Sequence, residues 1–325
     1  MEDISRTKTG IQAEMLANRV KKRFKHLSRR FEKENIEVFR LYDWDIPEIR
    51  AVVDWYAGHL VIGEYMRKQS VPEWLPAMAE ALGNALNVPM EKVHLKQRIA
   101  GKPEGKRYDR IDHKDLKIVV SEGDLKFLVN PSDYVDTGLF GDHRITRKII
   151  KGMAKDKDFL NLYGYTGSFS CYAAAGGARK TVSVDRSETA TQWAGENFEL
   201  NGIPKESNRL IHADALDYLK KTKKAGEAFD LAVVDPPSYS TTKNTNQSFD
   251  ILGDHPKLLA ATLEVIRPGG KVFFSTNHQG FELDASGLKG VEVKEITEET
   301  IPEDFVRNRP PIHRCWRMEK VMSDE

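Results

Sequence analysis

Three acids close three consecutive apolar runs in this chain: Asp185 ends TVSVD, Asp214 ends RLIHAD and Asp235 ends LAVVD. A carboxylate at the end of a buried strand needs a partner, because an isolated buried charge is expensive, so each acid is a candidate ligand contact. The run before them, FLNLY, leads into a glycine-bearing turn with Gly164 and Gly167 in G-x-x-G spacing. Such a turn brings backbone close to a ligand, and an acid ending the second strand can accept both hydroxyls of a ribose. The ligand should therefore carry an adenosine. A dinucleotide would need G-x-G-x-x-G to seat its pyrophosphate. Here the bulky Tyr163 and Tyr165 interleave, and no pyrophosphate cradle is evident. The fourth run closes in Asp235-Pro236-Pro237-Ser238-Tyr239. Prolines fix the backbone and the aromatic offers a stacking face, so this corner suits a planar base held beside a methyl donor. The pattern points to a methyl transfer from S-adenosylmethionine to a nucleobase.

Positioning these groups requires an open parallel sheet whose chemistry gathers at the carboxyl ends of its strands. Strand and helix alternate through FLNLY, a helix from Ser168, TVSVD, TATQWAGENFELNG, RLIHAD, ALDYLKKTKK and LAVVD, then HPKLLAATLEVI and KVFFSTN. The turn Arg267-Pro268-Gly269-Gly270 separates the last two, and the polar stretch TTKNTNQSFD reads as a loop placed to cover a substrate. The final runs, VEVKEIT and HRCWRMEK, lack a helix between them, which favours antiparallel pairing at the sheet edge. The expected fold class is α/β: a Rossmann-like sheet of seven strands, one reversed, over residues 131–325. Just upstream, YVDTGLFGDHR is rich in ionisable groups. There Arg144 and Asp142 could meet the methionine end of the cofactor or form an interdomain salt bridge.

Before that sheet, residues 1–130 read as a smaller α+β domain that binds RNA. Residues 11–34 form an amphipathic helix, with eight basic residues and one acid between Arg19 and Lys33. That face suits phosphates, or is simply a solvated surface. Strand-like runs follow at IEVFRLYD, AVVDWYAGHLVIGEYM, KVHLKQRI and KIVVSEGDLKFLVNP, with a helix over Pro72–Leu86. The loop Gly101–Arg110, basic with one tyrosine, could track a nucleic-acid backbone and stack on a base. With 325 residues and a net charge of +1, overall charge selects no partner, and the clustering carries the signal. Two cysteines give no disulfide framework, no run approaches a membrane span and no apolar signal core opens the chain. Cytoplasmic residence is the expectation, and no metal site is expected.

FLNLYGYTGSFSCYAAAGGARKTVSVDRS, DPPSYSTTKNTNQSFDILGDHPKLL, IRPGGKVFFSTNHQGF, YVDTGLFGDHR and DFVRNRPPIHRCW together resemble the RlmK family of class I methyltransferases. Its members form the C-terminal half of the bifunctional large-subunit rRNA enzymes called RlmKL, and EMLANRVKKRFKHL and FRLYDWDIPE extend the likeness over nearly the whole chain. The resemblance implies a guanine-N7 methyltransferase acting on 23S rRNA or a large-subunit assembly intermediate. It also implies a stand-alone enzyme, with a separate N2-guanine methyltransferase as a possible partner. One departure is His278-Gln279, where the family carries two basic residues before Gly280.

Guanine N7 has an in-plane lone pair and no proton, so alignment and a carboxylate facing the developing ring charge would suffice. Asp235 is the candidate for that contact, with Pro236 and Tyr239 shaping the base pocket. Cofactor contacts are expected from Asn161, Tyr163, Gly164, Thr166, Gly167 and Ser168, from Asp185 on the ribose, from Asp214 and Ala215 near the adenine, and from Arg144 and Asp235. Each has a plainer rival: Asp185 and Asp214 could cap helices, and the tyrosines could be core. Two other functions stand beside this one. Formation of 5-methylcytosine, as in the RlmI enzymes, would require a thiolate from Cys171 or Cys315. A non-catalytic RNA-binding assembly factor would use the fold as a scaffold.

Overall fold

A computed structural model describes residues 7–66, 70–99, 112–241, 248–307 and 309–321. The described residues divide into two compact units, one holding residues 7–66, 70–99, 112–137, 303–307 and 309, the other 138–241, 248–302 and 310–321. The sequence pattern places this boundary at 130/131, and the contacts place it at 137/138. The basic loop Gly101–Arg110 lies outside the described residues.

In the first unit, α1 (Lys8–Lys33) starts at Thr7, whose hydroxyl accepts from Gly10 N at 3.0 Å. It is followed by β1 (Val38–Asp43), β2 (Ala51–Tyr56), β3 (His59–Met66), α2 (Trp74–Leu86) and β4 (Val93–Ile99). The four strands form one sheet in the order β1-β2-β3-β4, antiparallel except for the parallel pair β3-β4 that α2 connects. Leu16, Val20, Leu27 and Phe31 of α1 share a core with Trp74, Met78 and Leu82 of α2 and with Phe39, Val53 and Ile62 of the sheet. Burying each such side chain is worth about 1.5–3 kcal/mol. On the outer face of α1, Arg19 pairs with Asp45, and Arg30 with Glu303. The side chains of Lys21, Lys22, Lys25 and Arg29 are exposed and make no ion pair or hydrogen bond with the other described residues. A hairpin of β5 (Ile118–Glu122) and β6 (Leu125–Val129) completes the unit's strands.

The second unit begins with α3 (Arg144–Met153), β7 (Asp158–Leu162), α4 (Ser168–Ala175), β8 (Lys180–Asp185) and α5 (Glu188–Leu200). It continues with β9 (Asn208–His212), α6 (Ala215–Lys224), β10 (Phe229–Val234), β11 (Tyr239–Thr241), β12 (Ser248–Asp250), α7 (Ile251–Glu264), β13 (Ile266–Thr276), β14 (Val291–Glu295), α8 (Thr297–Thr300) and β15 (Arg314–Lys320). The seven strands run β14-β15-β13-β10-β7-β8-β9, with β15 antiparallel to both neighbours. This is the expected seven-stranded Rossmann-like sheet with one reversed strand.

Alternation along the strands decides which helix covers which face. Leu160, Leu162, Ala232 and Val234 meet α6 and α7 on one side. Phe159, Leu231 and Val233 meet α3 and α4 on the other. Because β8 and β10 flank β7 on opposite sides, the connections diverge there, and a crevice lies beyond the carboxyl ends of these strands.

Three local expectations change. A four-residue helix, α8, does stand between β14 and β15, and the pairing is antiparallel. The Arg267–Gly270 turn is absorbed into β13 as an irregularity, with Gly269 at φ +75°. The polar stretch after Tyr239 contributes two arms of a hairpin, β11 and β12, with Tyr239 opposite Asp250; residues 242–247 lie outside the described part.

Candidate active site

The turn after β7 holds three left-handed residues within five: Tyr163 at φ +57°, Tyr165 at +48° and Gly167 at +76°. Non-glycine residues resist this conformation, and they persist in it only where their surroundings fix them. Here Gly164 N donates to Val184 O (3.0 Å), Tyr165 N to Asp185 Oδ2 (2.9 Å) and Gly167 N to Gly164 O (2.8 Å). Two buried polar side chains brace the turn from within. Thr166 Oγ1 donates to Gly138 O (2.6 Å), and Asn161 Nδ2 to Ser170 Oγ (3.1 Å). Asn161 and Thr166 are each about 1% exposed, so their side chains serve the turn's shape. Ser168 is half-buried at the first residue of α4, and the half-buried Tyr163 ring lies 5.8 Å from that of Phe249. Burial, then Asp214, pushes the Tyr163 hydroxyl above its ordinary range.

Asp185 ends β8, where its Oδ2 accepts from Tyr165 N and its Oδ1 from Ser187 N (2.8 Å). Burial raises its pKa while these two N–H groups oppose the rise. One lone pair on each oxygen stays unspent. Asp214 caps α6, its Oδ1 accepting from Leu216 N (2.9 Å) and Asp217 N (3.2 Å), with Ala215 buried at the helix start. The cap uses only Oδ1, and Oδ2 has no partner among the described residues. Arg144 is buried at the first residue of α3.

Asp235 follows β10. Its Oδ1 accepts from Ser275 Oγ at 2.6 Å, and its Oδ2 lies 3.4 Å from His143 Nε2, with the side chain a quarter exposed. Pro236 behind it is buried, Ser238 Oγ donates to Asn277 Oδ1 (2.9 Å), and Tyr239 opens β11 with its side chain exposed. Cys315, on β15, is fully buried, as is Cys171 on α4. Burial first, and then Asp235, pushes the Cys315 thiol up, while burial does the same to Cys171.

Sequence reading missed a cluster beside Asp235. His313 Nδ1 donates to Asp142 Oδ2 (2.9 Å), His313 Nε2 lies 3.1 Å from Thr300 Oγ1, and the His143 and His313 rings stack at 4.5 Å and 14°. His143 stands in the charged GDHR stretch that drew notice only for Asp142 and Arg144. His313 stands 170 residues further on, so no local pattern could join them.

Residues 42–289 match the model of a family described as S-adenosylmethionine-dependent methyltransferase. Ribosomal RNA large subunit methyltransferase K/L of Shewanella loihica is 40% identical over 94% of this chain, and its Psychromonas ingrahamii counterpart is 40% identical over 98%. The chain spans 43% of the length of each. Among solved structures, SMU.776, complexed with SAH, superposes with a TM-score of 0.78 at 21% identity, covering 95% of this chain and 81% of that one. A methyltransferase candidate from Streptococcus mutans gives 0.77 at 20% identity, over 94% and 81%. At these identities the likeness speaks for the fold.

Proposed function

The chain belongs to the S-adenosylmethionine-dependent methyltransferase family, and from that premise we propose that it methylates N7 of a guanine in 23S ribosomal RNA, free or within a large-subunit assembly intermediate. The observation that carries this reading is the Asp235 carboxylate, part-exposed at the end of β10 while both thiols are shut away from solvent. N7 needs no base to create its nucleophile, so the protein's task is to align the ring and to oppose its developing positive charge. Asp235 is suited to the second task, and Pro236 and Tyr239 to shaping the base pocket. Carbon alkylation at C5 of cytosine would instead need a thiolate, and burial disfavours one at Cys171 and Cys315 alike.

S-adenosylmethionine supplies an electrophilic methyl group carried on a sulfonium. The residues fit it: the two unspent lone pairs of Asp185 suit a pair of ribose hydroxyls, and the free Oδ2 of Asp214 lies next to Ala215 for the adenine. In this reading the turn of Tyr163, Gly164, Thr166, Gly167 and Ser168 presents backbone to the cofactor, braced by Asn161, and Arg144 takes the methionine carboxylate. N7 is out of reach in the deep groove of A-form RNA, so the target guanine must be unpaired or splayed. Lys21, Lys22, Lys25 and Arg29 are then contacts for phosphates of the same RNA.

The test is methyl transfer from labelled S-adenosylmethionine to 23S rRNA lacking the modification, followed by nucleoside digestion and mass analysis. Label in 7-methylguanosine is the expected result. Label in 5-methylcytidine would restore the thiolate mechanism. Label in 2-methylguanosine would keep the RNA but move the reacting atom, and tight cofactor binding with no label would remove this RNA as substrate.

A further inference from the structure

Asp142, His143 and His313 form, among the described residues, a tight group of titratable side chains that methyl transfer, as described so far, leaves without a role. His143 Nε2 faces two carboxylate oxygens, Asp235 Oδ2 at 3.4 Å and Asp142 Oδ2 at 3.8 Å, while its Nδ1 is buried with no partner among the described residues. Carboxylates only accept, so the proton of the neutral imidazole belongs on Nε2. The ring cannot swing away. His313 stacks on its face, Phe169 meets it at 62° with centroids 5.6 Å apart, and Asp142 and Thr300 fix His313 through its two nitrogens. Stacked imidazoles direct their in-plane lone pairs along nearly parallel lines, which favours this contact with the carboxylates over a shared metal ion.

We infer that His143 is a positioning residue for Asp235: the Ser275 hydroxyl holds one carboxylate oxygen by a hydrogen bond, and the Nε2 edge of the His143 ring stands 3.4 Å from the other, a charge–dipole contact that restricts the plane of the group facing the base. The inference rests on the role proposed for Asp235. A carboxylate hydrogen-bonded at one oxygen alone can turn about its Cβ–Cγ bond, and a ring edge held against the second oxygen narrows that turn. A displacement of about 1 Å at a reacting centre can cost roughly 100-fold in rate. A neutral imidazole also leaves the charge of Asp235 intact. The titratable groups facing His143 are Asp142 beside it, Arg147 on α3, Asp235 after β10 and His313 before β15. Burial outweighs the two carboxylates and lowers the His143 pKa, so the ring stays neutral until the pH falls below the ordinary histidine range.

Two measurements on the full chain test this. In the first, long-range proton–nitrogen NMR follows the His143 tautomer and its titration. The expected result is an Nε2–H tautomer with a midpoint below the usual histidine value, moved lower still by Asp235→Asn, which removes a carboxylate that favours the proton. An Nδ1–H tautomer, or a midpoint that Asp235→Asn leaves in place, overturns the inference without any RNA. In the second, His143→Phe keeps the stacked ring and removes the donor, while His143→Gln restores an N–H, both assayed on a 23S rRNA transcript. SAH affinity should stay within two-fold for both variants. The Phe variant should lose roughly 100-fold in kcat with KM for the transcript unchanged, and the Gln variant should recover most of that and lose the acid limb of the kcat profile. Wild-type kcat in the Phe variant, or an unchanged acid limb in the Gln variant, refutes the positioning role. If Asp235→Asn itself leaves kcat unchanged, the role of Asp235 fails instead.

Discussion

Replacing Gly138 by alanine should damage both stability and cofactor binding, because this glycine sits where the GLFGDHR segment meets the turn after β7. Its φ is +106°, and a Cβ built there would lie 2.4 Å from Cζ2 and 2.9 Å from Cη2 of Trp193. Trp193 is buried on α5, so no flexible tip can move aside. The left-handed backbone alone costs an alanine about 1 kcal/mol, and forcing a methyl group into packed aromatic surface adds about 1–3 kcal/mol. A total of about 2–4 kcal/mol would lower the melting temperature of a unit this size by roughly 4–16 °C. The same carbonyl accepts the Thr166 hydroxyl, so a shift of Gly138 propagates into the turn. Scanning calorimetry and titration with SAH should therefore show a lower transition and at least about ten-fold weaker SAH binding, near 1.4 kcal/mol. An unchanged transition refutes the packing argument, and a lowered transition with wild-type SAH affinity refutes the link between Gly138 and the turn.

Four further outcomes are expected. Asp185→Asn turns one of the two oxygens proposed to accept ribose hydroxyls into an amide donor, which costs about 1–3 kcal/mol in binding, so SAH affinity by calorimetry should fall roughly 5- to 150-fold. Asp235→Ala should leave SAH affinity within about three-fold yet slow methyl transfer by roughly 100-fold or more; loss of SAH binding would make it a cofactor ligand. His94, buried against His59, has its pKa lowered by burial first, from 6.5 to about 4, so the unfolded chain binds the proton first. Stability should thus be full above about pH 6.5 and decline by about 3 kcal/mol as the pH falls toward 4, a decline that urea titrations should find reduced in His94→Gln. Cys315→Ala should keep kcat within about three-fold, and an inactive, folded variant would favour thiolate chemistry.

The sheet of the second unit was legible because each of its central strands is an apolar run cut off by an acid or a glycine turn. Helix α6, read as ALDYLKKTKK, has those bounds in the structure because Asp214 marks its start and three lysines its last turn. Segments whose form depends on distant partners were harder to read. The arms β11 and β12 are too polar to signal strands, and only the fold shows Tyr239 paired with Asp250. The His143–His313 stack left no local trace, since its members come from opposite ends of the unit's chain. Asn161 and Thr166 flank the turn after β7 and hydrogen-bond within it, and nothing local in sequence distinguishes a side chain that touches a ligand from one that braces the loop.

Strand β15 sits between β13 and β14 although both precede it in the chain. During synthesis, therefore, the ribosome releases β13 with its apolar VFFS edge unpaired, and β14 has no neighbour until residues 314–320 emerge. His313, which stacks on His143, arrives with the same segment. A nascent chain stalled before this point would hold the turn after β7 but not the backing behind Asp235, and its open edge would be prone to association with other strands. The order of translation thus withholds the finished site until the inserted strand is made.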